Sequence, residues 1–387
     1  MKTRNLTAVI IATIVGTSAA ARGVQINLLG EFFATGVSAD GSVIVGNSAD
    51  NLFETVRWTA GDGVVRLGRE TMSVFGVGAG TPGVSDDGTR ISATITSDDG
   101  TFITQGLWTE GSGWQTLSPY PADMGIVDSN AGSAWNISGD GNHIVGLYWR
   151  AGATDGIAHA STGTLGGGVV DLGSTGGASR ANASNYDGSV IVGWDEAADG
   201  HWRSVVWVNG VQTILHDRGA FTEAVEVNAA GDVVVGDAWN EATSTREAAI
   251  WRWDGALWNE QILGTLPGTF EFWGRSVANG VSADGSVIVG YNVYDFGPFS
   301  DTTGFVWTSG LGMVSIESYL SMHGVSVDPL FDIISLTGVS ADGKTLIGYG
   351  VDWRTFQYQS FSVTIPAPGT LAVASLGLLA ARRRRSC

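Results

Sequence analysis

Apolar residues in this chain come in short runs, many of them β-branched, and each run is fenced by Gly, Asp and Ser. Ser42-Val43-Ile44-Val45-Gly46 is one such run; Thr55-Val56-Arg57-Trp58-Thr59 and Val64-Val65-Arg66-Leu67-Gly68 follow it. The runs are too short for helices and their composition favours pleated strands. Ala39-Asp40-Gly41 and Ala60-Gly61-Asp62-Gly63 separate them, and an Asp-Gly pair accepts the positive φ that a tight hairpin demands. With Ala34-Thr35-Gly36-Val37-Ser38 in front, this stretch predicts four antiparallel strands joined by tight turns.

The unit then repeats. GVSADGSVIVG occupies residues 36–46 and returns letter for letter at 280–290. Looser copies begin at Gly83, Asn136, Ala183, Val227 and Gly338, and the turn glycines 41, 88, 141, 188, 231, 285 and 343 mark seven copies. Four-stranded repeats of this length predict an all-β fold, a seven-bladed β-propeller. The third-strand Trp58 returns as Trp108, Trp207, Trp251 and Trp307; the third copy offers His159 near that place and the seventh Val363. The seventh copy stops after its third strand, at Phe361–Ile365, whereas Val24–Gly30 is a fourth strand that precedes any blade. Pairing of the two closes the ring and leaves no free edge. The expectation is therefore a closed propeller of four-stranded blades, locked by the N-terminal strand.

The two ends read differently. Lys2 and Arg4, an apolar run from Leu6 to Val15, and the small residues 17–21 have the three-zone order of a secretory signal peptide covering 1–21. The propeller then fills 22–365. Residues 366–387 run from Pro366, Pro368 and Gly369 through an apolar stretch to Arg382, Arg383, Arg384 and Arg385. That stretch is shorter than the ~20 residues a stable spanning helix needs, but an Arg cluster behind it acts as a cytoplasmic stop. The tail thus predicts transient membrane contact. The arrangement resembles the PEP-CTERM sorting signal, with Ala367 standing where that signal carries Glu. The resemblance implies processing by an exosortase-type enzyme and a place at the cell surface or in the extracellular matrix of a Gram-negative bacterium, linked to exopolysaccharide. The body resembles the HAF-type extracellular repeat family in its GVSADG…IVG…WT…LG order across residues 24–365, which implies a secreted surface protein.

Charge narrows the partners. The whole chain carries −18; without the six basic residues of its two ends, the body holds 14 basic residues against 38 acidic ones, or −24. Such a body repels phosphate backbones, so nucleic acid is excluded as a partner. The single cysteine, Cys387, allows no disulfide within the chain.

Candidate chemistry follows from the loops. Asp40, Asp87, Asp140, Asp187, Asp284 and Asp342 fit the Asp-Gly turns better than a calcium site, which wants about 6–8 oxygens in one cluster. His143, His159, His201, His216 and His323 lack metal-ligand spacing, and no nucleophile elbow is present. No metal and no cofactor are expected. More telling are aromatic and acidic residues that follow the second strands: Trp149; Trp194, Asp195 and Glu196; Trp239 and Glu241; Tyr291, Tyr294 and Asp295; and Trp353. In an up-down blade they share the face opposite the Asp-Gly turns. Rings that stack on sugars and carboxylates that accept hydroxyl protons suit a polysaccharide. The expectation is an exported, non-enzymatic surface or matrix protein binding polysaccharide or surface partners through this rim. Two alternatives stay open: a polysaccharide-cleaving enzyme using rim carboxylates, and a purely structural propeller whose rim is packed core.

Overall fold

Five of the seven copies bend through one local device, and the fourth and fifth use Asn185 and Asn228 in place of its serine. The Ser38 hydroxyl donates to Asp40 Oδ1 (2.7 Å) and accepts from the Val43 N–H (3.0 Å), while Asp40 Oδ1 accepts from the Ser42 N–H (2.9 Å). Gly41 follows at φ +77°, which only glycine adopts cheaply. Ser282 with Asp284 and Ser340 with Asp342 repeat the pattern, and Asn185 replaces the serine in the fourth copy. The turn carboxylates are thus committed to their own turns.

The computed structural model describes residues 26–50, 54–68, 80–127, 130–150, 157–219, 221–269, 274–294 and 301–365. The signal segment 1–21, Asp295 and the sorting tail with Pro366, Pro368, Gly369 and Arg382 to Arg385 lie outside the described residues.

These turns build seven four-stranded antiparallel sheets, the blades of a seven-bladed β-propeller. The first strands, nearest the axis, are Phe32–Val37, Gly83–Val84, Gly132–Ile137, Ser179–Ser184, Ala224–Val227, Arg275–Val281 and Phe331–Val339. The third blade has all four strands. The seventh is completed by Asn27–Gly30, which pairs with Gln357–Thr364 in the register Asn27↔Ser362 and Leu28↔Phe361. The ring is closed by its N-terminal strand, as the unpaired copy of a fourth strand requires. One helix, Ile316–Met322, sits between the sixth and seventh blades and buries Ile316, Tyr319 and Leu320. Among the described residues no helix is long and apolar enough to cross a membrane.

Two features aim side chains at the axis. In six blades the first strand carries a β-bulge, as between Ala34 and Gly36, so one extra residue faces the second strand. Residues at the bulge, such as Thr35, Trp135, Asn136 and Asn182, line the central channel. The bulge also explains the glycine ending of the second strand. A Cβ on Gly46 would stand 2.0 Å from the Phe33 carbonyl oxygen. In the second blade the first strand is only Gly83–Val84, and Ala93 is tolerated at the matching place.

On the turn face, backbone bonds run from blade to blade around the channel. Ala39 donates to Asp86 O (3.0 Å), Asp86 to Gly139 O (2.8 Å), Ala283 to Ala341 O (3.0 Å) and Ala341 back to Ala39 O (3.0 Å). Asp140 and Tyr186 continue the belt to Tyr186 O and Ala229 O, and the Asn228 side-chain amide spans the remaining junction to Ala283 O (2.9 Å). The belt bonds are all to backbone oxygens, so they form whether the residue is Ala, as at 39, 283 and 341, or Asp86 or Tyr186.

Between blades lie sheet-on-sheet cores, such as Val145, Ala160, Ala181, Ile191, Val205 and Trp207. Trp207 and Trp251 are wholly buried, and Trp307 nearly so. Each can contribute up to ~6 kcal/mol by burial of roughly 250 Å². The third blade corrects one expectation. Pairing places Gly163, not His159, opposite Ile144, where other blades set tryptophan opposite Ile44 or Ile191. The buried Leu117 fills the gap, its Cδ1 lying 2.8 Å from where a Gly163 Cβ would stand. His159 instead bonds Asp171 (3.0 Å).

Candidate functional site

The aromatic and acidic residues after the Ile-Val-Gly segments are not in loops. Pairing of second with third strands continues through Trp149↔Ala158, Glu196↔Trp202, Trp239↔Arg246 and Val293↔Thr302. Strand alternation therefore sends much of this set between blades.

Trp194 is 1% exposed and stacks on Trp202, with ring centroids 4.0 Å apart and planes 4° from parallel. Asp195 is fully buried and accepts from Ser174 Oγ (2.7 Å), Thr175 and Arg203 Nη2 (2.6 Å). Half-buried Glu196 accepts from the Ala178 N–H (2.9 Å). The half-buried Trp239 ring lies over Gly219, and its backbone N–H donates to His216 Nε2 (3.0 Å). Glu241 is exposed and pairs with Arg218 (3.3 Å). Trp149 is half-buried and its indole N–H has no partner among the described residues; Tyr294 packs against the core between the fifth and sixth blades. Trp353 is 49% exposed and meets Phe356 edge-on. Of the set, Tyr291 reaches the channel.

There, on the face opposite the Asp-Gly turns, the structure assembles a site from the first strands of neighbouring blades. A cavity of about 270 Å³ is lined by Trp135, Arg180, Asn182, Glu223, Glu226 and Tyr291, among others. Arg180 is 7% exposed. Its Nε donates to Asn182 Oδ1 (2.7 Å) and its Nη2 to Glu223 Oε2 (2.6 Å). Its guanidinium lies 3.7 Å over the Trp135 ring and 5.4 Å from the Trp194 ring. A stack thus runs inward from Phe221, through Trp202, Trp194 and Arg180, to Trp135. Trp194 holds the arginine in place rather than offering its own face. Asn182 Nδ2 also donates to Glu223 Oε2 (3.1 Å).

Several polar atoms remain unused. Among the described residues, Arg180 Nη1, Glu223 Oε1 and the Tyr291 hydroxyl make no hydrogen bond, and the Trp135 indole N–H is buried without one. Burial raises the pKa of Tyr291, outweighing the nearby Arg275. Behind this wall Asp237 is fully buried and paired with Arg246 Nε; burial lifts its carboxyl to about 6 in spite of that partner. Tyr291 also lines an adjoining cavity of about 380 Å³ with Arg275 and Tyr349.

Deeper in the channel stands Glu226, at the place where the first, second, sixth and seventh copies carry Gly36, Gly83, Gly280 and Gly338. Its carboxylate accepts from the Val227 N–H (2.9 Å) and Asn136 Nδ2 (3.2 Å). Protein surrounds it, and burial raises its pKa to about 7; its exposed part meets only the channel interior. It also borders a second space of about 140 Å³ under the belt of turns. Among the described residues no group of three or more His, Cys, Asp or Glu is arranged to hold a metal ion.

Trp135, Arg180, Asn182, Glu223 and Glu226 escape a reading that looks for motifs. Trp135, Arg180, Glu223 and Glu226 are marked by departure from the repeat, as large or charged residues in or beside first strands that elsewhere read Ala-Thr-Gly or Ala-Asn-Gly, whereas Asn182 matches Asn279 of that pattern.

No family model matches the chain, and no match to a curated protein is found. Among solved structures, it is similar to TolB from Acinetobacter baumannii, with 12% identity and a TM-score of 0.43 over 74% of this chain. The chain spans 64% of that protein's length. It is also similar to the β-propeller domain of the trilobed protease from Pyrococcus furiosus, with 10% identity and a TM-score of 0.49 over 90% of this chain and 99% of that one. The BP39L lectin from Burkholderia pseudomallei gives 11% identity and a TM-score of 0.48 over 88% and 97% of the two chains. At these identities the likeness concerns the fold alone.

Proposed function

We propose that this chain is an exported, non-enzymatic protein of the cell surface or extracellular matrix that binds polysaccharide. The binding site in this reading is the channel mouth. The observation that carries it is the cavity beside Trp135 and Tyr291, where Arg180 Nη1, Glu223 Oε1 and the Tyr291 hydroxyl have no partner among the described residues. Such a pocket, part aromatic and part polar, with a few convergent donors and acceptors, suits a ligand made of hydroxyl groups. Cleavage would need two carboxyls free to reach one glycosidic bond. Asp195 and Asp237 are instead tied to Arg203 and Arg246, and in the cavity itself Glu223 is ion-paired with Arg180 while both oxygens of Glu226 are taken by the Val227 N–H and Asn136 Nδ2. In the same proposal, residues 1–21 direct export, and an exosortase-type enzyme processes the tail after its brief stop in the membrane.

The test is co-sedimentation of the purified protein with the producing cell's extracellular polysaccharide, for wild type and for Trp135→Ala and Trp353→Ala. The expected result is a binding loss of about tenfold or more in Trp135→Ala, with Trp353→Ala near wild type. Unchanged binding in Trp135→Ala alongside loss in Trp353→Ala would move the site to the outer rim.

A further inference from the structure

We infer that the channel mouth reads a neutral sugar by a pair of adjacent hydroxyl groups, and takes the end of a chain rather than its middle. The inference rests on the polysaccharide reading above and names the class of sugar. Among the described residues Glu223 uses Oε2 for both its side-chain partners, Arg180 (2.6 Å) and Asn182 (3.1 Å), so Oε1 is left as an acceptor. Arg180 uses Nε and Nη2, so Nη1 is left as a donor. An ion-paired acceptor and donor therefore stand side by side on the wall of one cavity.

Only some ligand groups satisfy both. A carboxylate, as on a uronic acid, has lone pairs for Nη1 but no proton for Glu223 Oε1, which would repel it. An ammonium has protons for Oε1 but no lone pair for the guanidinium. A vicinal diol supplies both: one hydroxyl donates to Glu223 while the other accepts from Arg180. The Tyr291 hydroxyl can give or take the third bond. Charge supports the same choice. Arg180, Arg246 and Arg275 stand against Glu223, Asp237 and Glu226 around this wall, so the mouth is close to neutral although the body carries −24. Charged ligands gain little from such a balance.

Size argues for a chain end. The cavity of about 270 Å³ lies just under the range of small-molecule pockets, ~300–1,000 Å³. That leaves room for about one or two sugar rings, and the space beyond Glu226 and Asn136, which line both, is smaller, about 140 Å³.

The experiment is titration calorimetry of the purified full-length protein. The probes are methyl hexopyranosides and neutral trisaccharides, the same compounds after mild periodate oxidation of their terminal diols, and uronate-terminated counterparts. Tyr291→Phe accompanies the wild type, because it removes one oxygen and leaves the Arg180 stack in place. Arg180→Leu is run beside it with near-UV circular dichroism to check the fold. The inference expects neutral diols to bind, periodate to weaken binding more than tenfold, uronates to bind at least tenfold more weakly, and Tyr291→Phe to lose two- to tenfold. Binding that survives periodate, or that favours uronates, overturns it. If the producing cell's polysaccharide binds while none of the neutral diols does, this inference falls and the polysaccharide reading stands; if no glycan binds, both fall.

Discussion

Replacing Glu226 by Gln should stabilise the protein at pH 8 and leave it nearly unchanged at pH 5. The folded carboxyl titrates at about 7 against an ordinary 4.5, because the channel wall strips water from it. A carboxyl whose folded pKa is raised holds its proton in the native state while the unfolded chain gives it up. Between pH 4.5 and 7 unfolding therefore releases a proton, and stability falls as pH rises. The gap corresponds to about 3 kcal/mol at pH 8. Water inside the channel reduces that figure, and so does the bond from Asn136 Nδ2 (3.2 Å), which an amide nitrogen cannot accept. The Gln carbonyl keeps the Val227 N–H bond. A net gain of about 1–2 kcal/mol at pH 8 remains. Glu226→Ala should move in the same direction, since Ala183 occupies the matching place in the fourth copy. The assay is urea denaturation at pH 5 and pH 8, comparing midpoints at constant slope. Turn carboxylates do not confuse the window. Ser42 N–H and Ser38 hold Asp40 below its ordinary range, and Lys344 helps bring Asp342 to about 2, so both stay ionised throughout. An equal shift at both pH values, or a loss confined to pH 8, would refute the reasoning.

Other perturbations separate support from surface. Trp194→Ala should cost about 3–5 kcal/mol, because the indole is buried, stacked on Trp202 and close under Arg180; an unchanged denaturation midpoint would mean that the stack is not core. Arg246→Met should cost about 3–5 kcal/mol at pH 8 by leaving the Asp237 carboxylate buried without its charge partner. The control, Asp342→Asn, breaks an exposed pair with Lys344 and should cost about 1 kcal/mol or less in the same melt.

The architecture is legible in the sequence because one turn recurs with its whole hydrogen-bond set, Ser-x-Asp-Gly, and because a strand without a blade at one end matches a blade lacking a strand at the other. Local chemistry and global closure agree there. Register inside the third blade is less legible. Gly163 carries no side chain to announce its place, and Leu117, far from it in the repeat, does the filling. The aromatic groups mislead for a related reason. The Ile-Val-Gly ending reads as a strand end, but pairing runs on past it, and alternation buries Trp194 and Asp195 on opposite sides of one sheet. The channel site is written as exceptions: Trp135, Arg180, Glu223 and Glu226 stand where other copies keep small or apolar residues. Only the bulge, which turns these positions to the axis, brings them together.

The most direct test of the account is the binding isotherm of the purified protein on the producing cell's own extracellular polysaccharide, with Trp135→Ala measured beside it. Saturable binding is expected, weakened at least tenfold by the substitution while the denaturation midpoint stays near wild type. Absence of saturable binding by the wild-type protein would contradict it and leave a purely structural propeller.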